Sequence, residues 1–172
     1  NRQFIQQPLS SEESNYPIAY SIVIHKDIQL FERLLRSIYH PQNFYCIHVD
    51  QKTSPAFQQV ISNIISCFDN VFNPRRQEKV YYLHYSRVQA DLNCLEEFEK
   101  RDIEYKYVFN LCGQDFPLKT NFQLVRDLKG LYGFKDWVIK AISMNDITIF
   151  HLFIFNDFFT ERITQIVRFI FL

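Results

Sequence analysis

Four polar side chains lie where the sequence predicts that buried strands end, and these are the residues whose types could bind a small ligand. In open sheets of parallel strands, ligands bind outside the carboxyl ends of the strands. The four candidates are His25 after SIVI, Asp50 at the end of IHVD, Tyr82 in VYYL, and Asp115 shortly after VFNLC.

These residues also have purely structural interpretations. Asp50 can accept hydrogen bonds from a ribose hydroxyl or a base N–H, or it can cap the next loop through its own backbone. His25 can contact a ligand or simply face solvent at the strand end. Asp115 can bind a sugar or phosphate, or it can close a turn. The second interpretation is favoured by its place between Gly113, which allows a sharp turn, and Pro117, which fixes the exit. The residues alone leave both interpretations open.

The segment SRVQADLNC, residues 86–94, carries several polar residues on one predicted helix: Arg87, Gln89, Asp91 and Asn93. This pattern indicates either a helix N-terminus that faces a crevice or an ordinary amphipathic helix. The chain contains no GxGxxG, Walker loop, HExxH or GxSxG, and no DxD pair of the kind that holds a metal in many nucleotide-sugar enzymes. Its four cysteines lack the CxxC spacing of a zinc site.

Alternating strands and helices must position these groups. Apolar runs predict strands within residues 16–25, 43–50, 80–83 and 105–112. Asp27, Ser54, and either Thr120 or Asn121 are predicted helix N-caps. The predicted core positions of the helices are Phe31, Leu34, Leu35 and Ile38; Phe57, Val60, Ile61, Ile64, Ile65 and Phe68; Val88, Leu92, Leu95 and Phe98; and Phe122, Val125 and Leu128. This order predicts an α/β fold with a mostly parallel sheet.

Composition bounds the possible partners and divides the chain. Among 172 residues, 19 Lys and Arg balance 19 Asp and Glu, which argues against a basic nucleic-acid-binding face. No uncharged run is long enough for a membrane helix. Residues 1–15 are polar and predict a stem or linker, and residues 16–133 predict the α/β domain. Residues 134–172 form a Phe-rich tail without glycine or proline, whose structure the pattern does not indicate.

Three blocks together resemble one family: YPIAYSIVIHKDIQLFERLLRSIYHPQNFYCIHVDQK, SRVQADLNC and VFNLCGQDFPLKTN. They resemble the β-1,6-N-acetylglucosaminyltransferases of the core-2 and I-branching group, glycosyltransferase family 14, over roughly residues 16–133. The resemblance implies a GT-A, Rossmann-like fold on the lumenal side of the Golgi membrane. It also implies inverting transfer of N-acetylglucosamine (GlcNAc) from UDP-GlcNAc to a 6-hydroxyl of galactose or N-acetylgalactosamine. No metal cofactor is expected, in agreement with the missing DxD.

The resemblance also implies roles for individual residues. The residues expected to hold UDP-GlcNAc are Val23, Ile24, His25, Asp50, Gln51, Lys52 and Tyr82. Cys46 and Cys94 are expected to form a disulfide, and Cys112 a free thiol. Cys67 pairs in the family with a cysteine that this chain lacks, so Cys67 is expected to be unpaired.

The resemblance stops near Gly133, before the blocks that carry the family's catalytic glutamate, acceptor groups and two diphosphate-binding basic residues. The glutamate serves as general base, and the basic pair stabilises the leaving UDP. We therefore expect a truncated member that has no catalytic residue of its own and engages a glycan acceptor only if the missing half is supplied. Two alternatives remain: a non-enzymatic fragment that associates with full-length transferases, or an incomplete coding sequence whose tail is an artefact.

Overall fold

The computed structural model describes residues 4–130 and 166–167 of the chain. The helices are α1 (Ser11–Ser14), α2 (Ile28–Ile38), α3 (Pro55–Ile65), α4 (Tyr85–Lys100) and α5 (Asn121–Gly130). The strands are β1 (Ile18–Ile24), β2 (Phe44–Val49), β3 (Val71–Phe72), β4 (Tyr107–Cys112) and β5 (Ile166–Val167). Among the described residues, no helix combines the length and apolar character needed to cross a membrane.

The strands form one sheet in the order β3-β2-β1-β4-β5, and every pair in it is parallel. Strand β1 lies at the centre, and all seven of its residues are buried. Parallel sheets covered on both faces have strands that are apolar almost throughout, as the run IAYSIVI is. The predicted α/β class with a mostly parallel sheet is confirmed.

Helices cover both faces of the sheet. One face packs its larger core against α2, α3 and α5, with Phe31, Leu35 and Val125 fully buried. The opposite face packs against α4 through a smaller cluster that includes Phe72, Phe98 and Val108. Alternate residues of β1 therefore serve different helices, because successive side chains of a strand point to opposite faces.

Local sequence signals start the first two long helices where they were predicted to start. The Asp27 side chain accepts a hydrogen bond from the Leu30 amide, and the Ser54 side chain accepts one from the Phe57 amide. Pro55 follows Ser54 at the first helical position, where its missing N–H is not needed. At the start of α5, the Thr120 hydroxyl accepts from the Gln123 amide at 3.3 Å, so Thr120 is the capping residue.

The strand predicted at residues 80–83 does not form, and the third strand is Val71–Phe72 instead. The backbone of Val80 is engaged by side chains: its amide donates to Asp50 Oδ1 at 3.3 Å, and its carbonyl accepts from Lys52 Nζ. Leu83 adopts a positive φ of 54°, which a β-strand does not allow. The apolar letters VYYL thus belong to an exposed turn.

Some helix faces also differ from the predicted ones. Helix α4 buries Ala90, Asp91, Asn93, Cys94, Glu97 and Phe98, whereas Val88, Leu92 and Leu95 are only half-buried. Val60 and Phe122 are exposed by 40% and 39%, respectively. The predicted stripe of α4 is confirmed at Phe98, and it is wrong at the half-buried positions because Asp91 turns the helix towards Ser21 and Asn110 of the sheet.

Part of the predicted stem packs on the domain. Residues Ser11–Ser14 form α1, and the carboxylate of Glu13, which is 2% exposed, accepts hydrogen bonds from Ser10 Oγ and Asn121 Nδ2 at 2.9 and 2.8 Å. The Glu13–Asn121 contact spans 108 positions, so local composition could not reveal it. The predicted Phe-rich tail, residues 134–172, lies outside the described residues except for β5.

The expected disulfide between Cys46 and Cys94 is confirmed, with a Cα–Cα distance of 5.6 Å. It joins β2 to α4 on the smaller core. Cys67 is exposed and Cys112 half-buried, and both are free within the described part of the chain.

We predict that removing the disulfide by the double substitution Cys46→Ala and Cys94→Ala lowers the free energy of unfolding by about 3–4 kcal/mol, because the bond restricts the unfolded chain. Urea unfolding measures the loss. Cys67→Ser, at an exposed free thiol, is the matched control and should leave the midpoint unchanged. An unfolding free energy that the double substitution does not alter would contradict the prediction.

We further predict that Gly113→Ala destabilises the domain by about 1–3 kcal/mol. A Cβ at this position would lie 2.7 Å from Ile24 Cγ2, so the end of β1 would have to shift. Gly130→Ala is the control, since a Cβ there meets nothing within 4 Å. Equal thermal unfolding midpoints for the two variants would contradict the prediction, because they would show that the end of β1 shifts without loss of stability.

Candidate functional site

The carboxyl ends of the central strands meet at one edge of the sheet. The Ile24 carbonyl accepts a hydrogen bond from the Asp50 amide at 2.9 Å, and the Val23 carbonyl accepts one from the Gly113 amide at 3.0 Å. Val23 and Ile24 are buried, and His25 is exposed just beyond them. This edge therefore brings the predicted residues of β1 and β2 together, as expected for a ligand site in a parallel sheet.

Asp50 caps the loop that follows it, as its structural interpretation predicted, and its carboxylate remains a candidate acceptor for a ligand. Its side chain is 3% exposed, and Oδ1 accepts from the Lys52 amide at 2.9 Å and from the Val80 amide at 3.3 Å. The Lys52 ammonium lies 3.6 Å from Oδ2. The carboxylate thus closes its own loop and is oriented by fixed donors, which is what a precise hydrogen-bond acceptor for a ligand requires.

A short segment, residues 77–80, runs along residues 50–52 and forms a wall of the site. The Gln51 amide donates to the Glu78 carbonyl at 3.1 Å, and Gln51 Nε2 donates to the Gln77 carbonyl at 2.7 Å. Lys52 Nζ donates to the Val80 carbonyl. The side chains predicted to hold a nucleotide are therefore preorganised by this segment, called the 77–80 wall below.

Exposed aromatic side chains follow the wall. Tyr81, Tyr82 and Tyr85 are exposed by 52%, 66% and 62%, and Lys52 Nζ lies 4.5 Å from the centre of the Tyr81 ring. Open aromatic faces can stack on a planar base. Tyr82 therefore follows Tyr81, whose ring contacts Lys52 of the predicted site. The turn leaves the Tyr82 ring exposed to a ligand.

The surroundings of the histidine at the end of β1 lower its pKa and favour the neutral ring. Partial burial lowers the pKa of His25, the positive charge of Lys26 lowers it further, and the carboxylate of Asp50 opposes the shift. At neutral pH the ring therefore offers one donor and one acceptor. The solvent-facing and the ligand-binding interpretations of His25 both fit this position.

Asp115 takes the structural role of the two considered. Its Oδ2 accepts a hydrogen bond from the Cys112 amide at 2.7 Å, and its own amide donates to the Cys112 carbonyl at 2.9 Å. These two bonds close the turn that leaves β4.

Beneath the site, two polar residues of SRVQADLNC, Arg87 and Asp91, face the sheet. Asp91, 2% exposed, accepts from Ser21 Oγ at 2.8 Å and from Arg87 and Asn110. Arg87 Nη2 also donates to Asn110 Oδ1 at 2.7 Å. Burial raises the pKa of Asp91, and the Arg87 guanidinium and the hydrogen bonds oppose that rise. Neither interpretation of this helix anticipated such a buried polar layer.

A second group of polar residues on this helix reaches the 77–80 wall. Gln89 Nε2 donates to Asn93 Oδ1 at 2.9 Å, and Asn93 Nδ2 donates to Glu78 Oε1 at 2.9 Å and to the Arg76 carbonyl at 3.2 Å. Helix α4 therefore fixes the wall as well as the central strands.

His48 is a residue that the sequence analysis missed. It lies on β2 beside Val23, it is fully buried, and its Nε2 accepts a hydrogen bond from the Glu78 amide at 2.8 Å. Burial is the main cause that lowers the pKa of His48 to about 4, and the nearby Arg87 adds to it. Its position on β2, two residues before Asp50, is the signal that could have identified it.

Comparison with known proteins places this sequence in a family. The Core-2/I-Branching enzyme family model matches residues 18–141. A rat protein named beta-1,3-galactosyl-O-glycosyl-glycoprotein beta-1,6-N-acetylglucosaminyltransferase 3 is 56% identical over 132 residues, which are 77% of this chain and 30% of the relative. A human protein, beta-1,3-galactosyl-O-glycosyl-glycoprotein beta-1,6-N-acetylglucosaminyltransferase, is 54% identical over 132 residues, 77% of this chain and 31% of the relative.

The bovine protein of the same name as the human one is also 54% identical, over 77% of this chain and 31% of its own length. The chain thus spans under a third of the length of these relatives. Its matched region contains β1 to α5 and the whole edge described above. This chain belongs to the core-2/I-branching enzyme family.

Proposed function

We propose that this chain forms the donor-binding part of a β-1,6-N-acetylglucosaminyltransferase, with UDP-GlcNAc as donor. The observation that carries the proposal is the edge after β1 and β2, where the Asp50 carboxylate is held beside Lys52 and bonds to the Val80 amide, two residues before the exposed ring of Tyr82. The names of the relatives, beta-1,6-N-acetylglucosaminyltransferases, support N-acetylglucosamine as the transferred sugar. The proposed acceptor group is a 6-hydroxyl of galactose or N-acetylgalactosamine, with inversion at the anomeric carbon.

In this proposal each residue has a chemical task. The Asp50 carboxylate, oriented by two backbone amides, accepts hydrogen bonds from a ribose hydroxyl or from the N–H of uracil. The Tyr82 ring stacks on the base. Because the ring is exposed by 66%, its face is accessible to a ligand. His25, neutral at the strand end, and Lys52 donate to the remaining oxygens of the nucleotide.

Two further features of the proposal concern location and cofactor. A lumenal site in the Golgi is supported by the Cys46–Cys94 disulfide, since such bonds persist in oxidising compartments. The proposed reaction uses no metal cofactor. Charge on the leaving diphosphate then has to be stabilised by basic side chains.

The donor site predicts a loss of binding when the exposed ring is removed. Tyr82→Ala should weaken UDP binding about tenfold, because stacking of one base on an aromatic ring contributes about 1–3 kcal/mol. Tyr82→Phe keeps the ring and should bind UDP as the wild type does. Titration calorimetry with UDP measures both affinities.

Leu9→Ala is the matched control, because Leu9 is a large side chain, 69% exposed, just before α1 near the opposite end of the sheet. It should not change the affinity for UDP. If Tyr82→Ala binds UDP as tightly as the wild type, the stacking role is refuted, and if the wild type prefers ADP or GDP to UDP, the donor assignment fails.

The matched region amounts to 30–31% of the relatives' length, so we propose that residues 1–172 bind the donor but transfer little or no sugar by themselves. Radiolabelled UDP-GlcNAc offered with a core-1 or lactosamine acceptor, with and without EDTA, measures this. The expected result is donor binding that EDTA does not affect, with transfer at background. Clear transfer by the purified chain would contradict the proposed inactivity, and binding abolished by EDTA would contradict metal independence.

A further inference from the structure

We propose that His48 is a positioning residue of the donor site. Its ring accepts a hydrogen bond from the Glu78 amide and so holds the 77–80 wall against Asp50, Gln51 and Lys52. This inference rests on the proposed donor-binding function and names a residue that acts on the nucleotide only through others. The ring of His48 is fully buried and lies below the edge where the nucleotide is proposed to bind.

The geometry makes Glu78 the point at which the wall is fixed. Its amide donates to His48 Nε2 at 2.8 Å, its carboxylate accepts from Asn93 Nδ2 at 2.9 Å, and its carbonyl accepts from the Gln51 amide at 3.1 Å. These contacts reach β2, α4 and the loop after β2. The wall itself has no helix or strand, so it depends on these contacts for the pairing of its backbone groups.

The position of Glu78 determines what lies beside the nucleotide. Two residues further on, the Val80 amide donates to Asp50 Oδ1, and the Val80 carbonyl accepts from Lys52 Nζ. If the wall moves, Asp50 loses one of the two amides that orient it, and Lys52 loses the acceptor that places its ammonium. A buried ring can in this way control the groups proposed to meet the ribose and the base.

The protonation state of His48 follows from the same contact. An amide N–H can only donate, so Nε2 must carry a lone pair and the proton must be on Nδ1. The charged groups that act on the ring are Arg87 of α4, which disfavours a proton, and Glu78 and Asp50, which favour one. Burial adds to the effect of Arg87 and is the largest cause, so the ring keeps its acceptor and the wall stays assembled at neutral and mildly acidic pH.

The test separates an acceptor role from mere filling of space. His48→Leu removes the acceptor, and His48→Gln offers a side-chain oxygen in its place. We expect His48→Leu to weaken UDP binding about tenfold, and His48→Gln to recover most of that loss. The matched control is His40→Leu at a second buried histidine, 5% exposed, which follows α2 near the opposite end of the sheet and should leave the affinity of the folded protein for UDP unchanged.

A second readout follows the wall directly. Hydrogen exchange of the Glu78 and Val80 amides, measured by NMR, should be slow in the wild type and in His48→Gln and fast in His48→Leu. The ring nitrogen shifts of wild-type His48 should report the Nδ1–H tautomer. If His48→Leu does not fold, Glu78→Pro removes the amide donor itself while leaving His48 in place, and Glu78→Ala retains that donor as its control.

The outcomes distinguish this inference from the proposed function. Wild-type affinity for UDP in His48→Leu overturns the positioning role, and so does an equal loss in His48→Leu, His48→Gln and His40→Leu. If the wild type binds no UDP, the proposed function fails, and the positioning role is then judged from amide exchange alone. Equal protection of the Glu78 and Val80 amides in the wild type and in His48→Leu would show that the 77–80 wall does not depend on His48.

Discussion

The Asp91 carboxylate is buried between helix α4 and two central strands, and the partners that it needs there determine how the domain is assembled. A buried charge is costly unless it is paired and hydrogen-bonded, and Asp91 is satisfied by Ser21 of β1, Asn110 of β4 and Arg87 of its own helix. Helix α4 can therefore dock in only one rotation about its axis. The Cys46–Cys94 disulfide fixes the same helix covalently to β2.

The edge that we propose to bind the donor depends on that docking. Once α4 is oriented by Asp91, Asn93 faces Glu78, and the 77–80 wall is held between α4 and His48 of β2. The wall in turn orients Asp50 and Lys52 through the backbone of Val80. The hydrogen bonds of His48 to Glu78, and of Glu78 to Gln51, therefore connect the interior of the sheet to the surface where the nucleotide is proposed to bind. The aromatic turn that follows has no such ties at Tyr82, which leaves its ring available.

Much of the fold was predictable because local signals coincide with tertiary structure. Strands β1, β2 and β4 are apolar runs buried on both faces, and Asp27 and Ser54 cap helices that carry clear apolar stripes. The sequence-based predictions fail where contacts between distant polar groups determine the structure. The phase of α4 depends on Asp91 pairing with residues 70 and 19 positions away, and the turn at residues 80–83 depends on side chains 30 and 28 positions earlier in the chain. His48 resembled a strand residue, and only its distant partner shows its role.

The central claim is that the edge formed by the ends of β1 and β2 and by the turn before α4 binds the nucleotide of the donor. The most direct test is to map amide chemical shifts of the ¹⁵N-labelled chain during a titration with UDP. The account predicts that the largest changes cluster at Val23–His25, Asp50–Lys52 and Tyr81–Tyr82, and that the residues around Glu13 and Asn121 near the opposite end of the sheet do not change. Changes confined to that opposite end, or no saturable change at all, would contradict it.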